Sequence, residues 1–82
     1  MNPLDPIELK RIRWRSRRGL LELDLVLERF LARKFDSLDA REMTAYRRLL
    51  ELDDTDFLDV VDGKTDLSDP ALMEIVGMLR AV

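Results

Sequence analysis

The chain has 82 residues, the length of one small domain, and its 46% hydrophobic content is enough for a single core and unlike that of a disordered chain. It contains no Cys and no His, which excludes disulfides, thiolate nucleophiles, histidine general bases and the usual zinc ligands. The net charge of −3 is spread unevenly: residues 1–20 carry six cations against Asp5 and Glu8, residues 21–35 balance, and residues 36–82 carry twelve acids against five bases.

That asymmetry points to a basic docking surface at one end of the molecule; a solvated basic helix is the plainer alternative. A core of this size rarely supplies more than roughly 3–5 kcal/mol, which leaves little stability for a deep catalytic cleft. Carboxylate sites for hard metals stay open, but the Asp-Gly spacing of an EF-hand loop is absent. No apolar run approaches the roughly 20 residues that span a bilayer. The N-terminal Met1, Asn2, Pro3, Leu4 and Asp5 lack the apolar stretch of a signal peptide. A cytoplasmic location is expected.

The first element starts at Asp5-Pro6-Ile7-Glu8. Asp5 is the N-cap, Pro6 suits the first helical position, and Glu8 sits where a capping box needs it. Leu4 and Leu9 are spaced for a hydrophobic staple. This helix is expected near residues 6–16, with Gly19 separating it from the next. The second, near 20–34, carries Leu20, Leu23, Leu27, Phe30 and Leu31 on one stripe at helical spacing. Asp36 and Ser37 then break the chain. Leu38-Asp39-Ala40-Arg41-Glu42-Met43 repeats the capping grammar and opens a third helix near 40–51, with Met43, Tyr46 and Leu50 on one stripe and Leu49 beside them. A weaker copy at Leu52-Asp53-Asp54-Thr55-Asp56-Phe57 opens a fourth near 54–61, ended by the Asp62-Gly63-Lys64 turn. Ser68 or Asp69 caps a fifth near 69–80, whose stripe is Leu72, Ile75, Val76 and Leu79. No segment alternates with period two. The prediction is an all-α fold, a compact bundle of five short helices in a single domain over 1–82.

The densest functional signal runs from Arg11 to Asp24. Arg11, Arg15 and Arg18 are expected to share one helical face at i, i+4 and i+7. Trp14 lies on a neighbouring line, and a tryptophan there is expected to anchor the core. Gly19 permits a left-handed turn, a helix cap, or close approach of another backbone. Glu22 falls in the first turn of the second helix, where the dipole favours an acid, and it is near enough to Arg18 to pair. The residues alone give a helical bundle with a mixed-charge contact patch; the R-G-x-x-E pattern is short.

The longer string of Arg11, Trp14, Arg17, Arg18, Gly19, Leu20, Glu22, Leu23 and Asp24 resembles the signature of the SdhE family, also called succinate dehydrogenase assembly factor 2, or YgfY/CptB-like proteins. Phe35-Asp36-Ser37-Leu38 resembles that family's aromatic-D-S-L turn. Arg48-Leu49-Leu50-Glu51 and Asp53-Asp54-Thr55-Asp56 resemble its L-L-E-x-D-D-x-D segment. The likeness spans about residues 9–62. Leu20 stands where the family usually has Met, and Val60 where a Trp is common.

The resemblance implies a five-helix assembly factor that binds the flavoprotein subunit of succinate dehydrogenase, or of fumarate reductase, and promotes covalent attachment of FAD to a histidine of that subunit. The chain would be no enzyme, would bind no cofactor of its own, and would handle FAD through its partner. The implied partner-binding residues are Arg18, Gly19 and Glu22, with Arg11, Arg17, Leu20 and Asp24 around them. A monomer is expected, with no nucleic acid and no membrane insertion. The alternative is a nucleic-acid-binding protein that lays its first helix against phosphates. The acidic remainder and the lack of a second basic helix weigh against it. Glu22 and Asp24 as paired catalytic acids are disfavoured, since residues two apart on a helix point in different directions.

Overall fold

A computed structural model describes residues 5–82. Its five α-helices are α1 (Pro6–Arg15), α2 (Leu21–Arg33), α3 (Ala40–Leu49), α4 (Asp54–Val61) and α5 (Pro70–Ala81), with a single 3-10 turn over Phe35–Ser37 between α2 and α3. No strand occurs among the described residues. The all-α bundle expected from the spacing is the observed fold, and the helix bounds differ from the expected ones by one or two residues at most ends, the range over which helix ends fray.

Capping chemistry sets those bounds. Asp5 accepts from the Glu8 N–H at 2.9 Å, but the capping box there is half made. The Glu8 carboxylate turns instead to Arg11 at 3.7 Å and Arg47 at 3.5 Å. Leu4 of the expected staple lies outside the described residues. At α3 the box is complete: Asp39 accepts from the Glu42 N–H at 2.8 Å, and Glu42 accepts from the Asp39 N–H at 3.0 Å. Asp53 caps α4 through the Asp56 N–H at 2.9 Å. At α5 the cap is Asp69, which accepts from the Ala71 N–H at 2.9 Å and from Arg48 at 2.8 Å. The Ala71 N–H, with help from Arg48, holds the Asp69 carboxyl below the usual carboxylate range.

The helices bury their apolar stripes in one cluster. Leu23, Leu27 and Phe30 of α2, Met43, Tyr46 and Leu49 of α3, Phe57 and Val60 of α4, and Ile75, Val76 and Leu79 of α5 are all buried. Leu20, Leu31 and Leu72 are half-buried and pack against the same cluster. Helix α5 packs on α3, α2 and α4, and α2 packs on α4. Arg80 ties the end of α5 to the end of α4, donating to the Val60 carbonyl from Nε at 3.2 Å and Nη2 at 2.8 Å.

Tyr46 is the hub. Its ring lies 4.9 Å from that of Phe30 and 6.4 Å from that of Phe35, the second pair edge-on. Its hydroxyl lies 2.7 Å from Ser16 Oγ, which in turn donates to the Ile12 carbonyl at 2.8 Å. Ser16 has one hydroxyl proton, so with that proton on Ile12 the Tyr46 hydroxyl is the donor between them. This chain fastens the end of α1 to the core. Ile12 and Ser16 are the inward face of α1, four residues apart; Trp14, about 200° further round, points outward and is 77% exposed. The expectation that Trp14 anchors the core is therefore reversed.

Burial pushes the Tyr46 hydroxyl up to about 12 from its ordinary 10. An acid whose folded value is raised has its full stabilising effect below the unfolded value and loses it as pH rises. Stability from Tyr46 should thus be complete below about pH 10 and fall away toward pH 12. Tyr46 is the one tyrosine of the chain, so its absorbance change near 295 nm should follow alkaline unfolding and be absent from the folded protein at pH 10. Tyr46→Phe should remove that pH dependence and lower stability by about 1 kcal/mol at neutral pH, the net worth of one hydrogen bond.

Candidate functional site

The segment from Arg15 to Asp24 forms the corner between α1 and α2. Helix α1 ends at Arg15 with Ser16 as its C-cap, so Arg18 leaves the line of Arg11 and Arg15 and the three do not share a face. Helix α2 begins after Leu20, which gives no side-chain cap. The acid that organises this corner is Asp24. Its carboxylate accepts from the Arg18 N–H at 2.7 Å and from the Gly19 N–H at 3.1 Å.

Gly19 has φ +81°, a left-handed conformation that side chains rarely adopt. A Cβ placed there would meet nothing within 4 Å. The fold therefore requires glycine for its torsion and not for space, and the outer side of the turn is open. Gly63 has the same φ of +81° and the same open surroundings, but its setting differs. The Gly63 N–H donates to Val60 at 3.2 Å and the Lys64 N–H to Asp59 at 2.9 Å, the Schellman ending of α4. Gly63 is a helix cap. Gly19, three residues past the C-cap of α1, is not.

The Arg18 side chain turns inward. Nε donates to Asp54 Oδ1 at 2.8 Å, Nη1 to the Leu50 carbonyl at 2.7 Å and the Arg15 carbonyl at 3.4 Å, and Nη2 to the Leu52 carbonyl. Its guanidinium carbon lies 5.8 Å from the centre of the Phe57 ring. The ion pair expected between Arg18 and Glu22 is not formed; Arg18 pairs with Asp54 instead, because the turn at Gly19 sends its side chain toward the connection between α3 and α4. The side chain is 13% exposed.

Glu22 is exposed in the first turn of α2 and forms no ion pair among the described residues. Leu21 and Leu25, one turn apart on α2, are exposed at 72% and 43%. Arg17 is exposed and Leu20 half-buried. Arg11 stands apart on α1, 3.7 Å from Glu8. Beside the Gly19 turn lies a groove of about 720 Å³, lined by Arg13 and Arg17 from the α1 side and by Asp24, Glu28 and Leu31 of α2. Arg13 also lies 4.7 Å over the Phe35 ring. Of the sequence-derived site, the structure brings Gly19, Glu22, Arg17 and Asp24 to one corner, commits Arg18 to internal partners, and leaves Arg11 outside it. Sequence reasoning missed Asp54 as a partner of Arg18. The only available signal was the likeness of residues 48–56 to a family segment, read there as capping acids.

The arrangement holds no nucleophile with a base beside it, and no group of three or more acids placed for a metal ion occurs among the described residues. No described helix is long and apolar enough to cross a membrane. Residues 10–82 match the Sdh5 family, described as the flavinator of succinate dehydrogenase. The chain is 38% identical to the FAD assembly factor SdhE of Ralstonia nicotianae, over 95% of this chain and 86% of that one. It is 39% identical to the protein of the same description from Pseudomonas aeruginosa, over 92% and 89%, and 48% identical to that of Coxiella burnetii over 61% of each. No solved structure matches the chain.

Two substitutions separate torsional strain from loss of contact. Gly19→Ala and Gly63→Ala should each lower stability by about 1–2 kcal/mol, the left-handed penalty of an L side chain, without steric clash. Thermal unfolding should show falls of about 4–8 °C per kcal/mol for a domain of this size. A much larger loss at Gly19 alone would mean that the turn is packed and not open.

Proposed function

The chain belongs to the Sdh5 family of succinate dehydrogenase flavinators, and from that membership and the open turn at Gly19 we propose that it binds the flavoprotein subunit of succinate dehydrogenase and promotes covalent attachment of FAD to it. The observation that carries the site is the contrast between the two left-handed glycines. Gly63 finishes a helix. Gly19 holds an outward-facing turn beside an exposed acid, Glu22, and exposed leucines, Leu21 and Leu25.

Such a surface suits docking. Gly19 lets a partner backbone approach where a side chain would stand, Glu22 fixes register by pairing with a partner cation, and Leu21 and Leu25 supply apolar contact. Arg17, and Arg11 further along α1, steer the encounter. The chemistry of bond formation belongs to the flavoprotein and its FAD, and this chain is not an enzyme. It acts by binding one arrangement of the flavoprotein better than others, which shifts the population toward the form competent to react. In this reading the protein works as a monomer in the cytoplasm, binds no cofactor of its own, and also serves the related fumarate reductase subunit.

The test is in-gel flavin fluorescence of the denatured flavoprotein from cells carrying the wild-type gene, no gene, Gly19→Arg or Gly63→Arg. The two arginine variants carry the same torsional strain, so Gly63→Arg controls for stability. Covalent flavin should fall without the gene and with Gly19→Arg, and persist with Gly63→Arg. A central contact of about 2 kcal/mol corresponds to roughly 30-fold in affinity, so the loss at Gly19 should be near complete. Equal fluorescence in all four would sink both the role and the site.

A further inference from the structure

Two segments far apart in the chain carry the family likeness most densely, Arg17 to Asp24 and Arg48 to Asp56. The structure joins them at one side chain. We infer that Arg18 is a positioning residue which, with Asp24 and Asp54, sets the Gly19 turn against the connection between α3 and α4, and that it does not itself contact the flavoprotein. This rests on the docking role given to the Gly19 turn.

The donor arithmetic supports it. A guanidinium has five N–H donors, and Arg18 directs four of them to Asp54 and to the carbonyls of Leu50, Leu52 and Arg15. Leu50 is the C-cap of α3, where carbonyls lack helical donors and the dipole favours a cation. To meet a partner's carboxylate with its fork, Arg18 would have to abandon three carbonyls and an acid to which no other side chain among the described residues donates. Its backbone is equally committed. The Arg18 and Gly19 N–H groups both point into the Asp24 carboxylate. Side chain and main chain are thus anchored in different directions, one to α4 and one to α2, and the open side of Gly19 is what remains facing outward.

Lysine could keep the charge of Arg18 but not the planar fork that reaches several acceptors at once. Arg18→Lys therefore distinguishes a strut from a charge contact, and Asp54→Ala removes one anchor through a residue on another helix if the Arg18 variants fail to fold. The first readout uses the free protein: amide hydrogen exchange at Gly19 by NMR. Arg18→Lys and Asp54→Ala should each speed it by up to about tenfold, the scale of a lost charge-assisted hydrogen bond, while the buried amides of α3 and α5 keep their protection. The second is affinity for the purified flavoprotein subunit. Asp54→Ala should weaken binding several-fold, and Arg18→Lys should cost less in the Asp54→Ala background than in the wild type, the non-additivity expected of residues acting as one unit.

Unchanged Gly19 exchange in both variants, or equal Arg18→Lys penalties in both backgrounds, would overturn the inference and make Arg18 a direct contact or a bystander. If the wild-type chain fails to bind the flavoprotein, the docking role falls, and Gly19 exchange still decides whether Arg18 and Asp54 hold the turn.

Discussion

A single guanidinium holds together the parts of this molecule that local sequence cannot. Helices α3 and α4 meet at a short connection whose carbonyls, at Leu50 and Leu52, have run out of helical donors, and α1 meets α2 at a turn with no side-chain cap. The Arg18 side chain supplies donors to the first, and its backbone N–H, with that of Gly19, is held by Asp24 at the second. The arrangement has a thermodynamic logic. A half-buried cation is tolerable only when its desolvation is repaid by several good hydrogen bonds and a counter-charge, and Asp54 with the carbonyls supplies them. Removing Asp54 would leave the Arg18 side chain, 13% exposed, short of its counter-charge, which is why such clusters behave as units and not as sums of pairs.

The same economy governs the attachment of α1. That helix buries only Ile12 along its own length, with Ser16 just beyond its end. Leu9 is half-buried against the core and Glu8 pairs with Arg47, while the outer face is cationic and exposed, with Ile7 and Trp14 uncovered. What keeps it in place is the polar relay from Tyr46 through Ser16 to the Ile12 carbonyl, with Arg13 over Phe35 beside it. A relay of this kind specifies position better than an apolar contact does, because a slip of one residue would leave a buried hydroxyl without a partner. The corner at Gly19 is therefore fixed from two sides: by Ser16 and Tyr46 before the turn, and by Asp24 after it.

The helices were legible in the sequence because they are specified locally. All but α2 have their own capping acid, and α2 to α5 each have an apolar stripe, and both signals fall within one turn or one helix length. Asp39 with Glu42, and Leu23 with Leu27 and Phe30, are of this kind. The corner was legible only in part. Gly19 announced a left-handed turn, and the likeness of the surrounding string to a known family announced that the turn mattered. The direction of Arg18 was not legible, since three of its four acceptors lie more than thirty residues away and two of those three are backbone carbonyls, which carry no residue-type signal. Trp14 misled for a related reason. Its identity favours burial, but its place on α1 is set by Ile12 and Ser16, and the value of Ser16 depends on a tyrosine in another helix.

A chain with no cysteine, no histidine and a small core can still govern a covalent reaction, provided that its influence is exerted through differential binding. Binding energy alters a partner's reactivity only to the extent that it differs between the partner's states. A surface that deformed to fit every state equally would bind and accomplish nothing. The features found at the Gly19 corner favour discrimination: a turn locked by Asp24, braced by Arg18, and set on a helix whose register is fixed by the core. In the proposed role, rigidity at the Gly19 corner and selectivity among the flavoprotein's states are then two aspects of one arrangement, since Asp24 and Arg18 hold the turn in one shape.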